Sequence, residues 1–192
     1  EDDPARAVGR ERFDGPGGAV ACYVAYPKAT PDRRPAVVVI HENRGLNAHI
    51  EDVARRLARE GFLAIAPDAL SGSGGTPANE DEARRLIGEL DRERALALYL
   101  TAVRYAAGHA RSTGEAGCVG FCWGGGMAGR LAANSRRRTG KTCSPSRSTS
   151  QSTSWGATSQ TNRLADSLNS ADTGSGPGSV SIMRPRRPAI AI

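Results

Sequence analysis

Val119-Gly120-Phe121-Cys122-Trp123-Gly124-Gly125-Gly126 follows an apolar run, Ala116 to Val119, and leads into a helix-compatible segment, Met127 to Ala133. A strand that feeds a Gly-x-Cys-x-Gly-Gly turn and then a helix is the pattern of a nucleophile elbow, with cysteine where serine is usual. Such a turn holds its central residue in a strained conformation at the strand tip, and a bulky side chain two residues to either side would collide with it, which accounts for Gly120 and Gly124. The helix that opens there presents free N–H groups and the positive end of its dipole, which stabilise a thiolate and favour anionic intermediates. A second reading makes Cys122 a small buried residue in a glycine-rich strand-to-helix turn of the kind found in dinucleotide-binding folds.

Upstream of the elbow, apolar runs alternate with amphipathic stretches, the signature of an α/β fold. After an acidic, Pro/Gly-containing start, Ala19 to Tyr26 reads as a strand, and Pro35-Ala36-Val37-Val38-Val39-Ile40 as a parallel strand covered on both faces. Asn47 is placed to cap a helix in which Ile50, Val53, Ala54, Leu57 and Ala58 share a face until Gly61 stops it, and Phe62 to Ala66 returns as a strand. This is a βαβ unit, expected to cross over right-handedly. Pro67-Asp68 ends the strand, and Ser71 to Pro77 reads as a flexible loop. Asn79 caps a helix with Ala83, Leu86, Ile87 and Leu90 on one face; Asp91 caps another with Ala95, Leu98, Ala102 and Val103 buried.

The 192 residues suggest one domain, and a net charge of +6 would invite a nucleic-acid reading if it lay on one folded surface. It does not: residues 135–192 hold 9 Lys/Arg against 2 Asp/Glu, which leaves 26 − 9 = 17 against 20 − 2 = 18 in residues 1–134. Thirteen of those last 58 residues are Ser, and neither helical nor strand periodicity persists there, so the segment is expected to be disordered. As a nucleic-acid binder it lacks interleaved aromatics, Trp155 standing alone, so nucleic acid is not the expected partner. Cys22, Cys118, Cys122 and Cys143 show no metal-ligand spacing beyond one Cys-x3-Cys pair, so no metal is expected, and Cys118 reads as a packing residue. No run is long enough to span a membrane. The chain starts at Glu1 rather than Met, so it reads as a processed product or a fragment; the expected compartment is cytoplasmic, with an exported mature form as the alternative.

Three motifs in this order, Val38-Val39-Ile40-His41-Glu42-Asn43-Arg44-Gly45-Leu46-Asn47, Ala66-Pro67-Asp68 and Gly120-Phe121-Cys122-Trp123-Gly124-Gly125, closely resemble the dienelactone hydrolase family of the α/β-hydrolase fold, from about Ala19 to Asn134. The resemblance implies a doubly wound, mostly parallel sheet and a Cys-His-Asp triad that hydrolyses cyclic enol lactones and related esters through an acyl-enzyme, without a cofactor. By motif position it makes Cys122 the nucleophile and Glu42 the glutamate that helps turn thiol into thiolate. It places the oxyanion hole at the backbone N–H groups of Trp123 and Asn43. His41 and Arg44 flank that loop, either lining the pocket or serving as a hydrogen-bonded structural histidine and a loop-stabilising cation. His49 falls in the first turn of one helix and His109 at the end of another, neither a natural place for a general base. The family's substrate-carboxylate arginine has no counterpart, because the loop after Pro67-Asp68 reads Ala69-Leu70-Ser71-Gly72.

In an α/β-hydrolase the triad acid and base follow the nucleophile along the chain, yet no histidine follows Cys122. Residues 1–134 therefore read as the N-terminal two-thirds of such a domain and 135–192 as an atypical basic tail, disordered or translated from a shifted reading frame. Loss of the later strands is expected to leave the elbow strand with an unpaired edge and the chain with marginal stability. The leading expectation is a carboxylic ester or lactone hydrolase, impaired as it stands and acting on a small-molecule substrate. The alternatives are a non-catalytic module binding a small acyl or carboxylate ligand, a basic interaction tail, and a redox pair of Cys122 with Cys118.

Overall fold

A computed structural model describes residues 6–28, 32–139 and 179–181. Strands β1 (Arg6–Gly15) and β2 (Gly18–Pro27) form a hairpin. β3 (Arg34–Ile40), α1 (Ala48–Arg59) and β4 (Leu63–Pro67) form the expected βαβ unit, and a 3-10 turn (Ser71–Ser73) precedes α2 (Glu80–Glu89) and α3 (Arg92–Gly108). β5 (Ser112–Gly120) then enters α4 (Trp123–Thr139), and β6 (Ser179–Ser181) returns to the sheet. The strand order is β1-β2-β4-β3-β5-β6. The centre, β4-β3-β5, is parallel, while β2 pairs with β4, and β6 with β5, antiparallel.

Strand periodicity divides the core between two faces. Ala36, Val38 and Ile40 join Cys118 and the inner residues of α3 and α4 on one side. Val37 and Val39 join Val119 and the α1 stripe Ile50, Val53, Ala54, Leu57 and Ala58 on the other. A strand clothed on both faces has no polar side to alternate with, which is why the β3 sequence is a continuous β-branched run. Each fully buried Ile or Leu here removes enough apolar surface from water to contribute about 1.5–3 kcal/mol.

The helix starts follow the local signals. The Asn47 side chain accepts from Ile50 N–H at 3.1 Å, Asn79 from Asp81 and Glu82 N–H at 2.9 and 3.1 Å, and Asp91 from Arg94 N–H at 2.7 Å. Each satisfies donors that the first turn would otherwise leave open, worth about 0.5–2 kcal/mol. Gly61, at φ 91°, takes the left-handed conformation that ends α1.

Three expectations need correction, and one strand was not foreseen. Residues 6–15, read only as part of an acidic, Pro/Gly-containing start, form edge strand β1, held by a full antiparallel register from Arg6↔Pro27 to Gly15↔Gly18. Its charges are those of a solvent-facing edge; Phe13 is buried while Val8 remains 52% exposed. The loop after Pro67 is not a flexible tether but a hydrogen-bonded turn built on Asp68, described below. α4 runs through Asn134 to Thr139, so the backbone of 135–139 is helical. The elbow strand is not left bare at its tip, because β6 pairs Cys118↔Ser181, Val119↔Val180 and Gly120↔Ser179. The rest of the expected disordered tail, 140–178 and 182–192, lies outside the described residues.

Candidate active site

Parallel pairing brings the ends of β3 and β5 together, with Ile40 opposite Gly120. The loop that carries His41, Glu42, Asn43 and Arg44 and the turn that carries Cys122 therefore leave the same edge of the sheet side by side. Their approach is closer than side chains permit. A Cβ on Gly124 would collide with the carbonyl oxygens of Ile40 and His41, and one on Gly120 with the backbone of Gly124. The glycines are required as expected, and the nearest atoms they make room for are the backbone of the elbow helix and of the neighbouring loop.

Cys122 has φ 51°, alone among the described non-glycine residues in being positive, and it is exposed. Both facts disagree with the reading of a buried packing cysteine. Its carbonyl accepts from Gly125 and Gly126 N–H at 3.0 and 3.3 Å, so it stands at the N-terminal threshold of α4. There the helix dipole favours negative charge, and the N–H groups of Trp123 and Gly124 come ahead of the first intrahelical donor, Gly125. Cys22 and Cys118, by contrast, are buried, and burial pushes each thiol up to about 12. No charge stabilises a thiolate in those places, which leaves both as packing residues.

His41 is fully buried beneath the site. Its Nδ1 lies 2.8 Å from the Glu42 carbonyl, its Nε2 accepts from Ala69 N–H at 3.2 Å, and its ring stacks on Trp123 at 5.5 Å with 11° between planes. Tyr99 of α3 packs against both rings, and its buried hydroxyl has no hydrogen-bond partner among the described residues. Burial holds His41 below the ordinary imidazole range, opposed by the Glu42 carbonyl and by Asp68. A neutral ring follows. Of the other residues singled out, Glu42 is half-buried, Asn43 is exposed, and Arg44 pairs with Glu80 at the start of α2 at 3.3 Å. His49 opens α1. His109 caps α3 and lies 3.3 Å from Glu11 of β1, remote in role from the elbow.

Sequence reasoning missed the bracket that holds the two loops together. Asp68 is buried and accepts from Leu70 N–H, Thr76 N–H and Thr76 Oγ1–H at 2.9, 2.8 and 2.9 Å, while Thr76 Oγ1 accepts from Leu46 N–H at 2.9 Å. The loop 69–76 is thus tied through one hydroxyl to the loop after β3. Asp68 itself was visible at the strand end; that its partner would be Thr76 and the next link Leu46 was not, since the three are joined by no local spacing.

A parallel-centred sheet covered on both faces, with a strained cysteine at a strand-to-helix elbow, defines an α/β-hydrolase-type protein. A structure described as a dienelactone hydrolase from Klebsiella pneumoniae superposes with a TM-score of 0.60 at 31% identity, over 67% of this chain and 55% of its own. The chain belongs to the dienelactone hydrolase family, whose model matches residues 20–144, past the Asn134 limit expected from the motifs. An Escherichia coli K12 protein named as a hydrolase fragment, YghX, is 53% identical over 74 residues, 38% of this chain and 63% of its own length. A Yersinia pestis protein named carboxymethylenebutenolidase is 34% identical over 123 residues, 62% of this chain and 45% of its own. The chain spans about half the length of the full-sized relatives it matches, 45% in that case.

Proposed function

We propose that the chain carries the nucleophile half of a carboxylic ester or lactone hydrolase in which Cys122 becomes acylated. The left-handed backbone of an exposed Cys122 between β5 and α4 carries the reading, because a non-glycine residue persists there only where the surrounding structure over-determines it. Glu42 takes the thiol proton; the sulfur then bonds to the substrate carbonyl carbon, and the carbonyl electron pair moves to oxygen. That oxyanion accepts from Trp123 and Asn43 N–H. Collapse breaks the bond to the leaving oxygen, which departs with its electron pair; an alkoxide takes the proton held by Glu42, whereas a phenolate leaves unprotonated and Glu42 returns its proton to water. Water then adds to the thioester carbon, the carbon–sulfur bond breaks with its electron pair on sulfur, a proton from the water restores the thiol, and the carboxylic acid is released.

The loop Ala69-Leu70-Ser71-Gly72 holds no arginine, which favours a small ester or lactone without a carboxylate of its own. No helix among the described residues is long and apolar enough to cross a membrane.

The absence of any histidine after Cys122 bears on the second half of the cycle. With no histidine to activate water, the thioester outlives its formation, and turnover falls by a factor on the order of 10^4. The expected result with p-nitrophenyl acetate, whose phenolate leaves without needing a proton, is therefore a burst close to one equivalent followed by slow turnover. Peptide mass mapping should find the acetyl group on Cys122, and Cys122→Ala should remove the burst. An unacetylated Cys122 that is still freely alkylated would sink the nucleophile assignment and leave a ligand-binding module as the better reading.

A further inference from the structure

We infer that His41 is the positioning residue of the oxyanion site: by holding the Glu42 carbonyl it fixes the Glu42–Asn43 peptide plane and with it the direction in which Asn43 N–H donates. The inference rests on the reading of Asn43 and Trp123 as oxyanion donors. It starts from the tautomer. Ala69 N–H can only donate, so Nε2, 3.2 Å away, presents a lone pair; the ring proton is then on Nδ1 and donates to the Glu42 carbonyl at 2.8 Å. The Glu42 carbonyl and the Asn43 N–H belong to one trans, planar peptide and point in opposite directions. Anchoring the carbonyl on the buried ring therefore turns Asn43 N–H away from the core. Gly45 N–H reaches the same carbonyl only at 3.4 Å, a weaker second tie.

The same ring touches the other donor residue. Trp123, first residue of α4, stacks on His41 at 5.5 Å with nearly parallel planes, while the Gly124 backbone fits against the Ile40 and His41 carbonyls. A single buried side chain thus registers the loop after β3 against the start of α4. It does so without an accessible face, since His41 is 0% exposed and enclosed by Tyr99, Trp123 and the Asp68 turn. Such a ring cannot reach a substrate proton, but it can set the spacing and aim of two donors, on which oxyanion stabilisation depends steeply.

The tautomer is tested on the unaltered full chain by long-range proton–nitrogen NMR. The expected pattern at neutral pH is a protonated Nδ1 and a bare Nε2; a proton on Nε2 overturns the inference. Two variants then separate positioning from packing. His41→Phe keeps a flat ring against Trp123 and loses the donor, whereas His41→Asn places an amide N–H where Nδ1–H stood. Acetylation of Cys122 by p-nitrophenyl acetate develops an oxyanion; alkylation by iodoacetamide, a displacement of iodide at a tetrahedral carbon, does not. His41→Phe is expected to slow acetylation by about 10^2–10^3, the cost of one lost oxyanion donor, with alkylation unchanged, and His41→Asn to recover most of the loss. Acetylation and alkylation falling together, or neither falling, overturns the role. Should His41→Phe fail to fold, the tautomer and the His41→Asn rates decide: slow acetylation with intact alkylation in His41→Asn overturns it. A wild-type chain that forms no acetyl-Cys122 refutes the nucleophile reading instead. The Asn43 amide resonance then decides the positioning role, expected to shift in His41→Phe and return in His41→Asn; an unmoved resonance overturns it.

Discussion

The three cysteines among the described residues occupy two kinds of environment, and their chemistry should separate accordingly. Cys122 is exposed at a helix start; Cys22 and Cys118 are buried, their thiols pushed to about 12. A brief iodoacetamide pulse on the folded chain at pH 8 is expected to label Cys122, read by peptide mapping, and to spare the other two until denaturant is added. Labelling of Cys118 at the rate of Cys122 would contradict the burial of β5. Two glycines of α4, one at the elbow and one beyond it, predict opposite signs for the same substitution. Gly124→Ala drives a methyl into the Ile40 and His41 carbonyls, so it should cost about 1–3 kcal/mol in chemical denaturation and abolish the acetylation burst. Gly129→Ala, in the same helix with open space around its Cα, should stabilise by about 0.5–1 kcal/mol. At this scale the sequence was informative: a Gly-x-Cys-x-Gly spacing can be read without a fold. The same sequence said nothing of the Ala69 N–H that meets His41, because Ala69 lies far along the chain from it.

Among the elements, the helices were the most legible. Asn47, Asn79 and Asp91 cap α1, α2 and α3 through side-chain oxygens two or three residues from the N–H groups they satisfy, and such short-range chemistry is written in consecutive residues. β1 was illegible for the opposite reason: an edge strand is held by its ladder to β2, and its polar, Gly-containing sequence buries Phe13 and little else. The buried stripe of α3 was likewise read as narrower than it is, since Leu96, Tyr99 and Ala106 are also inside, covered by α4 and the sheet. Loops illustrate the point most sharply. Thr76 Oγ1 donates to Asp68 and accepts from Leu46 N–H, so Thr76→Val leaves a carboxylate oxygen and an amide each short of a partner. The expected cost is about 1–3 kcal/mol per unsatisfied buried group, visible as a lower denaturation midpoint, together with a slower acetylation burst as the loop after β3 loses its brace. An unchanged burst would show that the brace does not bear on the site.

For the molecule as a whole, the order β1-β2-β4-β3-β5-β6 makes β5 depend on β6 for its outer edge, and that pairing covers Cys118 to Gly120 only. Val180→Pro removes a backbone donor opposite Val119 and should expose the strand that leads to the elbow. Increased light scattering at micromolar concentration and loss of the burst are the expected signs; a variant as monomeric and active as the parent would show that β6 is dispensable. The sequence by itself determined the elbow, the capped helices and the family, because glycine sterics, cap chemistry and motif order each act over a few residues. Only the tertiary structure decided which loops face one another, what surrounds His41 and what shields the edge of β5. Those outcomes arise where strands remote along the chain become neighbours in the sheet, and no local pattern encodes a neighbour.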